Sequence, residues 1–239
     1  MIVKTRAIVF STVKYAEADL IATCYTESDG IKNYMLQNIL KSKKSAVKPS
    51  FFQPLTQLEI VANHKNKGTL EYLKEVRISS PYKSLHTDVH KATLAVFLAE
   101  ILKSSIREEQ ANSDLFGYLK NALDFLDSTD KISNFHIRFL LDLSQFLGFY
   151  PDADQDQWTV FNLMEGKFEI SKSDMYSMEG EVVENLKSFF NKNFDDVSSI
   201  KLTRTERNNL LGLIISYFQL HVQGFKNPKS LPVLQQIFK

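Results

Sequence analysis

Cysteine is nearly absent: Cys24 stands alone among 239 residues. No disulfide can form within the chain, which sets aside small cross-linked secreted scaffolds and fits a cytoplasmic protein. Glycine is scarce, eight residues in all, and none falls into a GxGxxG, GxSxG or P-loop pattern. The backbone cradles and nucleophile elbows that such patterns build are therefore missing. Long apolar runs are missing as well. The most apolar stretch, 210–220, is about half the ~20 residues of a membrane span, and Gly212, Ser216 and Gln219 interrupt it. The opening Met1-Ile2-Val3-Lys4-Thr5-Arg6 lacks the apolar core of a secretory signal. There is no internal repeat and no low-complexity tract.

Net charge is also small, +1, but its distribution is uneven. Residues 1–80 hold 12 Lys and Arg against seven Asp and Glu, net +5; residues 81–239 hold 17 against 21, net −4. A basic front on an acidic rear predicts a partitioned surface. The basic half contains a loop with four lysines in eight positions, Lys41, Lys43, Lys44 and Lys48. Clustered ammonium groups suit a nucleic-acid backbone, because repeating phosphates give them Coulomb attraction and counterion release. The bland alternative is a solvated loop that keeps the protein soluble.

The front half reads as five short strands. In residues 2–13, Val3, Ala7 and Val9 share one parity and Lys4 and Arg6 the other, which places the two charges outside a barrel wall. Residues 20–26 form a second strand, and Ser28-Asp29-Gly30 turns the chain into a third over 31–40, since glycine accepts positive φ. The loop 41–52 follows, with Pro49 excluding a helix interior. Leu58, Ile60 and Ala62 alternate on a fourth strand, and Leu70, Tyr72, Val76 and Ile78 on a fifth, with a turn at 64–68 between them. Five antiparallel strands in about 80 residues fit an OB-type barrel, with an SH3-like barrel fitting nearly as well. Tyr15, Tyr25 and Tyr34 are equally readable as barrel packing or as platforms for stacked bases.

Composition changes at Pro81, and helical patterns take over. The expected class is thus α+β, with an OB-type domain over 1–80 and a helical domain over 81–239 that carries a β-hairpin at about 158–170. Thr87 or Asp88 can cap a helix running to about Ile106, and Ser113 can cap the next. A third, from about Asn134 to Leu147, is apolar almost all round and is the expected centre of a bundle. Helices near 179–192, 204–222 and 229–238 complete the chain. Thr203 and Glu206 have capping-box spacing.

Other constellations carry less. His86 and His90 have metal-ligand spacing but no HExxH frame, so a helix start with exposed imidazoles is the simpler reading. Cys24 lies mid-strand and reads as a buried thiol. Asp152, Asp154 and Asp156 resemble a calcium loop without its central glycine or its final glutamate. The 18 phenylalanines are mostly core; a surplus could line a groove for a partner peptide.

Several short motifs, taken in order, resemble the bacterial RecO family of recombination mediators. Tyr15-Ala16-Glu17-Ala18-Asp19 is similar to the family's Y-x-E-x-D turn, and Thr26-Glu27-Ser28-Asp29-Gly30 to its T-x-x-x-G hairpin. Lys41-Ser42-Lys43-Lys44-Ser45 looks like the basic loop, with Phe52-Gln53-Pro54-Leu55 entering the fourth strand. Leu115-Phe116, Gly148-Phe149-Tyr150-Pro151 and Lys229-Ser230-Leu231 match the helical part. Two departures stand out. Residues 152–158 contain no cysteine where many members bind zinc, so no metal or other cofactor is expected. Asn38, Ile39 and Leu40 replace a glycine that often precedes the basic loop.

The resemblance implies a non-enzymatic cytoplasmic protein working at the nucleoid. It would bind single- and double-stranded DNA, anneal complementary strands, contact the C-terminal tail of the single-strand-binding protein SSB and, with RecR, help load RecA. Expected phosphate contacts are Lys4, Arg6, Lys14, Lys32, Lys41, Lys43, Lys44 and Lys48. Two rival readings are an adaptor whose helical half binds a partner tail, with little DNA binding of its own, and a metal-dependent nuclease built on residues 152–156.

Overall fold

The structure, a computed structural model, describes residues 1–41, 47–65, 70–107, 110–154 and 157–237. The chain forms two compact units, one of Met1–Ser128 with Pro228–Ser230, the other of Thr129–Asn227 with Leu231–Lys239.

The first unit is built on a closed barrel of five strands: β1 (Ile2–Tyr15), β2 (Asp19–Thr26), β3 (Gly30–Leu36), β4 (Gln57–Asn63) and β5 (Glu71–Ile78). Their order is β1-β2-β3-β5-β4, with β1 and β4 antiparallel neighbours and β3 and β5 joined in parallel. This is the OB-type arrangement expected, except that β3 and β5 run parallel where the sequence reads as five antiparallel strands. The alternation of β1 works as read: Val3, Thr5, Ala7 and Val9 are buried, while Lys4 and Arg6 are exposed. Ile8 and Phe10 are buried on the opposite face. Phe10 stacks on Tyr25 of β2, which in turn meets Phe116, so both faces of this strand are covered.

Two strand readings are corrected. β3 ends at Leu36 instead of continuing to 40, because Asn38 takes a positive φ of 55° and turns the chain. On β5 the predicted inward set included Tyr72. The pairing register shifts, with Val61 opposite Glu75 and Ala62 opposite Leu73. Lys74 is the extra residue, and such a bulge reverses the facing of everything beyond it. Leu73 therefore packs on the barrel core with Val76 and Ile78, and Tyr72 is 41 % exposed.

A short 3₁₀ turn, Pro49–Phe52, puts Phe52 into the same core. Helix α1 (Val89–Ser105) is capped by Asp88, whose carboxylate accepts from the His90 and Lys91 amides. Helix α2 (Ser113–Ser128) is capped one residue earlier than expected: the Leu115 amide donates to the Asn112 side chain at 2.9 Å. The end of α2 grips the chain before α1. Asp127 accepts the Lys83, Ser84 and Leu85 amides at 2.8–2.9 Å, and the buried Lys91 ammonium donates to the Asp127 carbonyl at 2.7 Å. Burial alone would raise the Asp127 pKa, but these three donors hold it below the usual range.

The second unit contains α3 (Phe135–Phe146), a three-stranded sheet, and helices α4 (Glu181–Lys187), α5 (Phe194–Val197), α6 (Arg204–His221) and α7 (Leu231–Ile237). The expected hairpin is present as β6 (Val160–Asn162) and β7 (Lys167–Glu169), and β8 (Ser177–Glu179) adds an unexpected third strand in the order β7-β6-β8. Gly166 turns the hairpin at φ 67°, and a Cβ there would collide with the Tyr217 hydroxyl. Helix α3 is buried almost all round, as its composition predicts, and packs against α5 and α6. Its charges are used internally. Arg138 pairs with Asp142 and donates to the Phe189 carbonyl at 2.8 Å. Arg207 donates to Asn134 at 3.1 Å, and Asn134 donates to the Val197 and Ile200 carbonyls at 2.9 Å. The capping box at Thr203 and Glu206 forms as its spacing predicts.

Candidate nucleic-acid interface

The strands that close the barrel also decide where its cations point. Lys14 stands near the end of β1, and the turn that follows is tied to the segment beyond β3. The Leu40 amide donates to the Ala18 carbonyl at 3.0 Å, the Asn38 amide to Asp19 at 2.7 Å, and the Lys41 ammonium lies 3.2 Å from Glu17. Lys14 and Lys41, both exposed, thus belong to one end of the barrel, and Lys48 is exposed as well. The Lys41–Glu17 pair is open to solvent, and such pairs contribute ~0–1 kcal/mol, so an incoming phosphate can compete for the ammonium. Lys43 and Lys44 lie outside the described residues.

The remaining predicted cations are elsewhere. Lys4 is ten positions back along β1, roughly 30 Å of strand at ~3.3 Å per residue, beside Glu59, Glu75 and Arg77. Arg6 is held by Glu27, with its Nε donating at 2.8 Å, and lies over the Phe116 ring at 5.4 Å. That hydrogen bond, more than burial, keeps the Glu27 carboxyl below its ordinary pKa. Lys32 pairs in register with Cys24 and shares the inner parity of Tyr34 and Leu36. It is only 8 % exposed. The signal was available in the sequence: residues 32, 34 and 36 lie on one face of any strand.

Among the tyrosines, Tyr25 and Tyr34 are buried and Tyr15 is 52 % exposed. Tyr34 belongs to a buried polar chain that joins the base of the β2–β3 turn to the end of β4. Its hydroxyl lies 2.8 Å from His64 Nε2, and His64 Nδ1 lies 3.2 Å from Asp29. Burial pushes the Tyr34 hydroxyl pKa upward, so it stays protonated and structural. Alternation misplaced Tyr72, and Lys65 and Lys74 are exposed cations beside it that the loop-centred reading passed over. The Lys65 ammonium sits 5.6 Å from the centre of the Tyr72 ring. A cleft of about 330 Å³ opens next to it, lined by Met35, Gln37, Asn38, Tyr72, Leu73 and Lys74 among others.

The other constellations resolve into local structure. His86 Nε2 donates to the Pro54 carbonyl at 2.9 Å, while His90 lies 3.8 Å from the capping Asp88. Among the described residues no group of three or more His, Cys, Asp or Glu is placed to hold a metal ion. Asp152 accepts the Asp154 amide at 2.9 Å, and Asp156 lies outside the described residues. Cys24 is buried, and burial pushes its thiol up to about 12, so it is not a thiolate at neutral pH. No helix among the described residues is long and apolar enough to cross a membrane.

Comparison with known proteins bears on the whole chain. Residues 1–82 match the family model "Recombination protein O N terminal", and residues 86–232 match "Recombination protein O C terminal". The chain is 50 % identical to the DNA repair protein RecO of Christiangramia forsetii over 238 residues, covering all of both chains. It is 46 % identical to the protein of the same name from Flavobacterium psychrophilum and 33 % identical to that from Phocaeicola vulgatus, again over the full length of each.

Proposed function

The chain belongs to the RecO family, and from that premise we propose that it acts in DNA repair as a non-catalytic recombination mediator. It binds single- and double-stranded DNA, anneals complementary strands and, with RecR, helps load RecA on DNA covered by SSB. It does so in the cytoplasm, at the nucleoid. The observation that carries the DNA-binding part is the pair of exposed lysines at one end of the barrel, Lys14 and Lys41, together with the exposed Lys48, in a stretch of sequence that also contains Lys43 and Lys44. Phosphate contacts of this kind position a strand without reading its sequence, which suits a protein acting anywhere on a chromosome. Lys4 extends the contact along β1. Arg6 and Lys32, held respectively by Glu27 and by the barrel's inner face, contribute least.

The decisive measurement is anisotropy of a labelled single strand across a salt series. Replacing Lys41, Lys43 and Lys44 together by alanine weakens binding, and the salt slope falls by roughly one unit per lost phosphate contact. An unchanged slope would remove the loop from the site.

The adaptor reading draws on the second unit. Ile170 and Met175 are strongly exposed there, and a cleft of about 440 Å³ is lined by Trp158, Lys167, Phe168 and Ile170. An SSB tail that docks in this cleft changes the fluorescence of Trp158, the one tryptophan in the chain. Tail binding without DNA binding at low salt would make the protein an adaptor first.

A further inference from the structure

We propose that Tyr72 and the cleft beside it take one unstacked nucleobase, so that the protein prefers single strands to duplex. The proposal rests on the DNA-binding reading above and adds a second recognition element to it, one that contacts bases instead of phosphates.

The argument begins with the bulge. The extra residue in β5 turns Leu73 inward and leaves Tyr72 outside. An aromatic ring exposed on a strand gains nothing from the core it was patterned to enter. Its position also lies at the seam where the barrel closes. Among the described residues β3 and β5 are bridged there through Tyr34–Glu71 and Met35–Tyr72 alone. Beyond those two pairs the ladder stops, β3 ends at Leu36, and the cleft opens.

The lining has the character of a base site. Tyr72 supplies a π-face, Met35 and Leu73 supply apolar walls, and the exposed Gln37 and Asn38 supply amide groups. Base edges present donors and acceptors that amides can meet. Lys74 lines the same cleft, and Lys65 keeps a cation near the ring, so a strand entering here meets positive charge beside Tyr72. The volume of about 330 Å³ lies at the small end of the roughly 300–1,000 Å³ typical of ligand pockets, which suits one planar base. A duplex keeps its bases stacked and paired, and exposing one costs a few kcal/mol; a single strand offers them freely. Stacking on an aromatic side chain tolerates any sequence.

The test uses the full chain and three labelled probes: a mixed-sequence single strand, a duplex of equal length, and a single strand with abasic sites throughout. Tyr72→Ala lowers affinity for the single strand about 5- to 150-fold, the equivalent of ~1–3 kcal/mol per stacked base. The salt slope stays the same, because no phosphate contact is lost. Duplex affinity stays within about twofold, Tyr72→Phe retains single-strand binding, and Tyr72→Ala has no further effect on the abasic strand. Unchanged single-strand binding by Tyr72→Ala, or an equal loss on all three probes, would overturn the pocket while the lysine end still bound DNA. If the wild-type chain binds none of the probes at low salt, the DNA-binding reading fails and the pocket with it.

Discussion

Two sets of cations, one in each compact unit, are used in opposite ways. In the barrel unit Lys4, Lys14, Lys41 and Lys48 stand in solvent, and Lys41 is only loosely answered by Glu17. In the second unit Arg138 and Arg207 are buried and spend their donors on carbonyls, an amide and a carboxylate of the same unit. A guanidinium placed inside depends on such partners, because an unmet buried charge is costly. An ammonium left in water costs little and remains available. Net charge cannot separate the two cases. The comparison therefore predicts that the buried arginines of the second unit matter for folding, and the exposed lysines of the barrel end for binding.

The largest effect that checks this contrast is expected at Arg138. Arg138→Ala leaves Asp142 and the Phe189 carbonyl without their partner and lowers stability by about 3 kcal/mol, measured by urea unfolding. The salt-dependent DNA binding proposed for the first unit is expected to persist wherever the protein remains folded. A stability unchanged within experimental error would erase the contrast.

Asp127→Ala sharpens it from the other side, since here the barrel unit also depends on a satisfied charge. Three backbone donors lose their acceptor, and the expected loss is ~2 kcal/mol. The folded Asp127 pKa lies below its ordinary value, so this contribution is present above the unfolded pKa and fades as pH falls through the folded one. In the variant, that part of the acid sensitivity disappears from the denaturation midpoint.

His136 provides a graded test within the second unit. It is buried, and burial, reinforced by Arg207, lowers its pKa to about 3. The unfolded imidazole titrates near 6.5, so as pH drops below that value the unfolded chain takes up the proton first. Stability falls with a slope approaching ~1.4 kcal/mol per pH unit from this group. Comparing wild type with His136→Gln between pH 7 and pH 4 isolates the term; equal slopes would show that the imidazole takes up its proton as readily in the folded protein as in the unfolded chain.

Lys14→Ala is the smallest expected change. Its stability effect lies within about 0.5 kcal/mol, while DNA affinity falls and the salt slope drops by roughly one unit. A stability loss comparable to that of Arg138→Ala would break the division between the units.

Strand patterning, helix caps and the turn glycines were legible in the sequence because each depends on residues close together in the chain. Asp88 and Thr203 cap the helices that their spacing predicts, and Gly148 and Gly166 take positive φ where α3 ends and the hairpin turns. The Asn112 cap was displaced by one residue from the expected Ser113 because both are good capping residues and only the backbone path selects between them. Strand β8 escaped notice, since three residues carry too little alternation to register. On the candidate site, the exposed Lys41 and Lys48 follow from the loop composition, whereas Tyr72, Lys65 and Lys74 do not.

By itself, then, the sequence determined the α+β class, the barrel's alternating walls and the separation of a basic front from an acidic rear. These follow from periodicity and composition, which are local properties of the chain. Tertiary structure alone decided that Tyr72 faces out and that Arg6 answers Glu27. One inserted residue in a strand reverses every side chain after it, and its presence is revealed only by the partner strand against which it is counted.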